Sequence, residues 1–436
     1  MTRAYEEVIS VFEHGALYTH KGDQRLSLYQ LSALQRFHGE HGVPYFSLIH
    51  NGVRFCEYVG VLSLGNTIFE ILPKADKCPD TAIWRRVLLG MVGVVGLFDI
   101  HAPSSADLQC KRNSILDLYF ELFVAEVEQL FRQGLVKAYH QLDGNVTALK
   151  GKLLFDKHIL QNLTHQERFY TRYTLYDWDH LFNRILYKTI QLIFRLNKND
   201  HLKSRIGNLL LAFPELPDIL VTESLFQNLL FNRKTEAYKS ALSISRLLLL
   251  NYHPDLLRGD NDVLALLFDM NMLWEKFVYS SLRKFKPSEV TITPQRSQDF
   301  WKSKIGRKAK IIPDIVINKG ATDCIVLDTK WKNLDGYNPS AEDLRQLYAY
   351  SKFNHNAKTA LVYPGEENIL SMGTFFDEFK GYESKMECGI FQLQVDKNVI
   401  LWQKKIAELI FTLLTSSPAT PTSSHAPYQN TLSTPP

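Results

Sequence analysis

Residues 311–332 read IIPDIVINKGATDCIVLDTKWK. Two short apolar runs, Lys310–Asn318 and Asp323–Trp331, flank the turn signal Asn318-Lys319-Gly320, and the pattern predicts a β-hairpin. Side chains alternate along a strand, so Cys324, Val326, Asp328 and Lys330 share one face while Ile325, Leu327, Thr329 and Trp331 take the other. Pairing of the two strands carries Asp314 towards Asp328. Pro313 has no N–H for the ladder and marks an edge or irregular strand position.

Two carboxylates and a lysine held together suit phosphodiester hydrolysis. Asp314 and Asp328 offer hard oxygen ligands for Mg²⁺, which keeps most of its waters and can share a phosphate oxygen. Such an ion acidifies a bound water and offsets charge developing at phosphorus. Lys330 beside it can orient or deprotonate that water and neutralise the attacked phosphate. The backbone carbonyl of Thr329 is a further candidate metal ligand. A plainer account stands beside this one: P-D…D-x-K is a loose pattern, and strand-end carboxylates commonly pair with lysine on solvated faces. Against it, these acids sit inside apolar strands, where unpaired charge is costly.

Outward from the hairpin the C-terminal third reads as a compact α/β sheet domain. A helix is expected over Asp262–Lys286 and a strand over Glu289–Thr293, followed by the two hairpin strands. A helix over Ser340–Phe353, strands at Lys358–Tyr363 and Ile390–Val395, and a last helix over Val399–Leu414 complete the order α-β-β-β-α-β-β. Glu275 on the first helix is a candidate third carboxylate, and Gln346 on the second a candidate contact to water or DNA backbone; an ordinary solvated side chain explains either. The stretch Arg296–Lys310, RSQDFWKSKIGRKAK, sets Arg296, Lys302, Lys304, Arg307, Lys308 and Lys310 against one acid, Asp299, with Phe300 and Trp301 interleaved. A basic loop feeding the Asp314 strand is where DNA phosphates are expected, although a solvated loop has the same composition.

The rest of the chain differs in character. Residues 1–78 are strand-rich, with Phe46–Ile49, Val53–Tyr58 and Thr67–Leu72 separated by Asn-Gly and Gly-Asn turns. Residues 79–260 turn helical, with apolar stripes in Ser114–Gln133, Leu181–Asn197 and Ser240–Asn251. The domain expected to carry the hairpin spans 261–414, and the Ser/Thr/Pro tail 415–436 has too little apolar surface to order itself. The fold class is thus α+β and multidomain. Basic residues exceed acidic ones by 50 − 46 = 4, too few to announce a nucleic-acid binder without clustering. Five scattered cysteines with no C-x-x-C pair suggest neither disulfides nor a zinc site, and fit a reducing cytoplasm. The longest apolar run, Val87–Phe98, is too short to span a bilayer, and the first residues lack a signal-peptide core. Gly90, Gly93 and Gly96 suit close packing. No G-x-x-x-x-G-K-[ST] is present, so a nucleotide-driven motor would have to be another polypeptide.

PDIVI…VLDTKWK followed by DLRQLYAYS resembles the PD-(D/E)xK nuclease superfamily, with its αβββαβ core. More specifically, VGVLSLGNTIFEILPK (59–74), LKGKLLFDKHILQN (149–162) and YDWDHLFNRILYKTI (176–190) look like the McrC family. That family supplies the nuclease subunit of McrBC 5-methylcytosine restriction systems. The likeness runs over about residues 5–412. It implies that Asp314, Asp328 and Lys330 are catalytic, with Gln346 and Glu275 as accessories. It further implies an Mg²⁺-dependent endonuclease acting on modified double-stranded DNA. The partner would be a separate McrB-like AAA+ GTPase, docked through the N-terminal and central parts of this chain. Two other readings remain open: a stand-alone repair or recombination nuclease, and a non-catalytic activator of a motor NTPase.

Overall fold

The computed structural model describes residues 7–65, 67–75, 80–95, 115–253, 263–295, 297–304, 306, 308–321, 323–332, 334, 338–376 and 383–415. It divides into two compact units, Met1–Phe277 and Val278–Pro436. The expected boundaries at 78/79 and 260/261, residues Arg296 and Arg307, Gly96, and all of the tail except Thr415 lie outside the described residues.

The first unit opens with β1 (Glu7–Phe12), β2 (Ala16–Tyr18), α1 (Leu28–His41), β3 (Phe46–Ile49), β4 (Gly52–Phe55), β5 (Tyr58–Leu64) and β6 (Thr67–Leu72). The Asn-Gly signal makes the β3–β4 turn, with Asn51 left-handed at φ 53°. α1 starts in a capping box: Ser27 and Gln30 satisfy each other's backbone N–H. Its Leu31, Leu34 and Phe37 bury against Phe46, Val53, Phe55 and Phe69.

Then follow α2 (Thr81–Val94), α3 (Ile115–Gln133), β7 (Ala138–Val146), β8 (Lys152–Leu153), α4 (Phe155–Asn162), β9 (Phe169–Asp177), α5 (Leu181–Leu196), α6 (Asp200–Ala212), α7 (Glu223–Gln227) and α8 (Lys239–Leu250). The expected helical stripes are buried, as at Tyr119, Phe120, Phe123 and Val127 of α3. The sheet β7-β9-β8 is an addition to the helical expectation. Its strands are half-exposed along most of their length, so no buried alternation announces them.

β10 (Tyr252–His253), β11 (Val263–Asp269) and α9 (Met270–Phe285) close the unit, with α9 continuing into the second. Here the expectation of a helix from Asp262 fails: Val263–Asp269 is a strand, antiparallel to β5 in the sheet β1-β6-β5-β11-β10. VLALLFD is uniformly apolar, and a buried strand and a buried helix share that signature. The close approach needs glycine: a Cβ on Gly60 (φ 136°) would sit 2.1 Å from the Leu266 carbonyl oxygen. Glu70 of β6, fully buried, accepts from Arg85 Nε of α2 (3.0 Å) and from the Ile115 N–H opening α3 (2.8 Å).

The second unit holds β12 (Ile292–Pro294), β13 (Gln298–Lys302), β14 (Lys308–Ile311), β15 (Ile315–Ile317), β16 (Ile325–Thr329), α10 (Ala341–Phe353), β17 (Lys358–Gly365), β18 (Ile369–Phe376), β19 (Glu383–Gln394) and α11 (Val399–Thr415). Six strands form one sheet, β12-β15-β16-β17-β19-β18, and β13 pairs β14 separately. The expected single strand Lys310–Asn318 is broken: β14 ends at Ile311 and β15 begins at Ile315, with Pro313 in the gap. Parallel pairing of β16 with β17 requires a crossover, which α10 supplies. α10 covers the face bearing Val316, Cys324, Val326, Leu361 and Tyr363, burying Leu347 and Tyr350 there.

Candidate active site

The sheet register builds the centre. Ile315 pairs with Leu327, so one residue further along, Asp314 falls opposite Asp328 at the end of β16. By alternation both acids share the face of Val316 and Val326, the face under α10. Asp314 is steadied by Thr329, whose backbone N–H and hydroxyl donate to its Oδ2 at 2.7 and 2.8 Å.

Asp328 is only 1% exposed, and neither of its buried oxygens receives a well-directed hydrogen bond. Lys330 Nζ lies 2.8 Å from its Oδ2, close enough for an ion pair. Burial, with the Asp314 charge next, pushes the Asp328 carboxyl up to about 6 against the pull of Lys330. Burial likewise raises Asp314, against the two Thr329 hydrogen bonds. For Lys330, burial works to lower the ammonium, but the charges of Asp328, Asp314 and Asp343 and the Asp328 contact together hold it above its ordinary value.

α10 completes the constellation. Gln346 Oε1 accepts from Lys330 Nζ at 3.3 Å, and its Nε2 donates to Tyr350 Oη at 2.7 Å. Tyr350 in turn donates to the Ile312 carbonyl (2.9 Å), holding the broken segment before Asp314. One turn earlier, buried Asp343 accepts from Lys332 Nζ (2.5 Å) and Tyr363 Oη (2.9 Å). These bonds hold Asp343 low overall, although burial pushes the other way. Sequence reasoning missed Asp343, Tyr350, Lys332 and Tyr363. The signal available was the helical phase of Asp343, Gln346 and Tyr350, spaced i, i+3, i+7 on one face.

The structure therefore gathers Asp314, Asp328, Thr329, Lys330 and Gln346. Glu275 lies half-buried on the part of α9 that belongs to the first unit, outside the unit that carries this cluster. Lys302, Lys304, Lys308 and Lys310 are all exposed on or beside the β13–β14 hairpin. Lys308 pairs with Asp299. Among the described residues no group of three or more His, Cys, Asp or Glu could by itself hold a metal ion, and no helix is long and apolar enough to cross a membrane.

This is a mixed α/β protein of two units, with a carboxylate pair and a lysine at one strand end. Residues 53–364 match the family described as McrBC 5-methylcytosine restriction system component, and the chain belongs to that family. It is 24% identical over 180 residues to the type IV methyl-directed restriction enzyme EcoKMcrBC of Escherichia coli K12. The matched part is 39% of this chain and 51% of that relative, so the chain spans about half the relative's length. Its fold matches a chain of the half-complex of Thermococcus gammatolerans McrB AAA+ hexamers with bound McrC. That match has a TM-score of 0.72 at 21% identity and covers 93% of this chain and all of that one. A chain of the T. gammatolerans McrBC complex matches with a TM-score of 0.49 at 20% identity, over 64% of this chain and 87% of that one.

Proposed function

We propose that this chain is the DNA-cutting subunit of a modification-dependent restriction system, with a PD-(D/E)xK-type centre at Asp314, Asp328 and Lys330. One observation carries the reading. Asp328 keeps a carboxylate buried with no directed hydrogen bond, which is costly for folding and useful for holding a cation. Two carboxylates with the Thr329 carbonyl form a partial oxygen donor set, and Mg²⁺ is content with few protein ligands because it keeps its waters. When bound, that ion would supply charge neutralisation and an acidified water.

The remaining chemistry belongs to the chain. Thr329 fixes Asp314 through two hydrogen bonds. Lys330, tethered by Asp328 and Gln346, presents a cation to the attacked phosphate and a hydrogen bond to the incoming water. Lys302, Lys304, Lys308 and Lys310 offer phosphate contacts leading to the site. A McrB-type AAA+ GTPase is the partner this reading requires, in the cytoplasm, with 5-methylcytosine-bearing DNA as substrate. Family membership and the fold shared with a chain from McrB hexamers with bound McrC support it.

Reconstitution with such a GTPase on methylated and unmethylated DNA tests the proposal. Cutting should need GTP, methylation and Mg²⁺, and Asp314→Ala or Lys330→Ala should abolish it while leaving GTPase stimulation intact. Cutting without GTP would identify a stand-alone nuclease. Stimulation without any cutting by the unaltered chain would identify an activator.

A further inference from the structure

Three polar side chains of α10 make contacts around Asp314 and Lys330, and their order along the helix lays out a line. Asp343 accepts from Lys332 Nζ (2.5 Å), Gln346 accepts from Lys330 Nζ (3.3 Å), and Tyr350 donates to the Ile312 carbonyl (2.9 Å). At 1.5 Å of rise per residue these contacts start about 4.5 Å and about 6 Å apart along the helix. Ile312 comes directly after β14, so the Tyr350 end of the line is the root of the basic hairpin. Lys330 stands in the middle, and Lys332 marks the far end.

The far lysine is held in place yet left open. The Asp343 side chain is 8% exposed, against 45% for Lys332. Asp343 is itself fixed twice: Tyr363 Oη donates to its Oδ2 (2.9 Å), and its backbone N–H donates to the Ser340 hydroxyl (3.2 Å). An ammonium carries three N–H donors. Among the described residues Asp343 is the one hydrogen-bond partner of Lys332, so donors remain for a ligand. The spacing identifies that ligand. Two residues of extended chain span at most about 7 Å, and the two lysines are tied to α10 one helical turn apart. Successive linkages of a DNA strand rise about 3.4 Å each, so a phosphate at Lys332 lies one or two linkages from the phosphate at Lys330. A strand that comes over the hairpin and offers a linkage to Lys330 runs on into that distance, whichever bases it carries.

We propose that Lys332, held by Asp343, is the phosphate contact on the far side of the cleaved linkage, so that the strand is gripped on both sides of Lys330. This rests on the reading that Lys330 meets the attacked phosphate, and it makes Asp343 a positioning residue for both lysines, through Lys332 directly and Gln346 one turn on.

The experiment is fluorescence anisotropy of the full chain with a labelled duplex over a range of salt, with Ca²⁺ in place of Mg²⁺ so that binding is read apart from cutting. Lys332→Gln should weaken binding about tenfold, the scale of one hydrogen bond to a charged group. It should also flatten the slope of log K against log salt by about 0.9, the value for one phosphate. Lys332→Arg should keep the parent slope, and so should Asp343→Asn, which removes no cation. The slope separates this contact from a purely structural ion pair, because losing a cation that only neutralises Asp343 changes no counterion release from DNA. Should Lys332→Gln unfold because Asp343 is left uncompensated, the double variant Lys332→Gln/Asp343→Asn removes both charges and should show the same drop. An unchanged slope in the folded variant overturns the proposal, as does no DNA binding by the parent chain. Cleavage assays with the GTPase, Mg²⁺ and GTP keep the two readings apart. Cutting by the parent with an unchanged slope in Lys332→Gln removes the contact and leaves the nuclease. A flattened slope with no cutting by the parent leaves the phosphate contact and removes the nuclease.

Discussion

Replacing Asp328 with Asn should make the metal-free protein more stable and, on the proposed reading, abolish DNA cleavage. The Asp328 carboxyl rises from the model-peptide value of 3.8 to about 6, burial being the first cause and Asp314 the second. That is about two pK units at 1.36 kcal/mol each, or about 3 kcal/mol. The group is 1% exposed, so solvent screening takes little from the figure. Between pH 4 and 6 the folded chain holds a proton that the unfolded chain has released. Stability is therefore greatest at the acid end of this window, falls by up to about 3 kcal/mol as pH rises through 6, and stays reduced above it. An amide has no proton to lose there, so the variant should lack this fall.

Paired calorimetric or denaturant unfolding of the two proteins from pH 4 to 8, in EDTA, reports the Asp314–Asp328 pair, because the carboxylates outside it titrate in both. At pH 8 the variant should gain up to about 3 kcal/mol, roughly 6–12 °C for a domain of this size. Mg²⁺ at ten times its Kd should stabilise the parent by about 1.4 kcal/mol and leave the variant unmoved. Equal unfolding of the two at pH 8, a flat difference across the window, or equal stabilisation by Mg²⁺ would refute the reasoning.

Two further predictions concern residues away from the acid pair. Asp343→Asn should weaken the bonds to Lys332 and Tyr363 and loosen the turn that sets Gln346 on Lys330. We expect DNA cleavage to fall at least about tenfold in kcat with little change in DNA affinity, because a misplaced group costs rate more than binding; equal losses in kcat and affinity in steady-state assays would count against it. Glu70→Ala should cost about 3–5 kcal/mol in urea unfolding, since it removes the carboxylate from Arg85 and leaves the Ile115 N–H without its acceptor; a loss below about 1 kcal/mol would show that the buried Glu70 does not tie α2 and α3 to the sheet.

The hairpin was legible because its information is local. Alternation at period two fixed which side chains share a face, and flanking apolar residues showed that Asp328 would be buried. α3, α5 and α8 were legible through stripes that repeat over several turns. What escaped was of two kinds. Val263–Asp269 is apolar at every position, so its strand conformation is decided by Gly60 and β5, some 200 residues away in sequence. Strands β7, β9 and β18 bury neither face along most of their length, so nothing periodic marks them. The site divides along the same line. Asp314, Asp328 and Lys330 lie within one hairpin, whereas the Asp343–Tyr363 bond joins a helix to a strand and exists only once α10 has crossed over the sheet.

The exposure gradient at the centre also restricts how a substrate can enter. Asp328 is closed off, while the Lys330 side chain two residues on is 27% exposed. The opening therefore lies beyond the carboxyl end of β16, where its parallel neighbour β17 flanks it on one side and the start of antiparallel β15 on the other. Open α/β sheets place ligand crevices at that end, where a crossover helix leaves the strand. α10 roofs one side of this opening through Gln346 and Tyr350, and the chain break at Ile312–Asp314 borders another, with the basic hairpin directly before it. A phosphodiester reaching Lys330 would thus pass the lysines of β14 first. Positive charge lies along the approach and negative charge at its end, an order that suits the proposed cleavage: the backbone is drawn in before its phosphate meets two carboxylates, one of them buried, that would otherwise repel it.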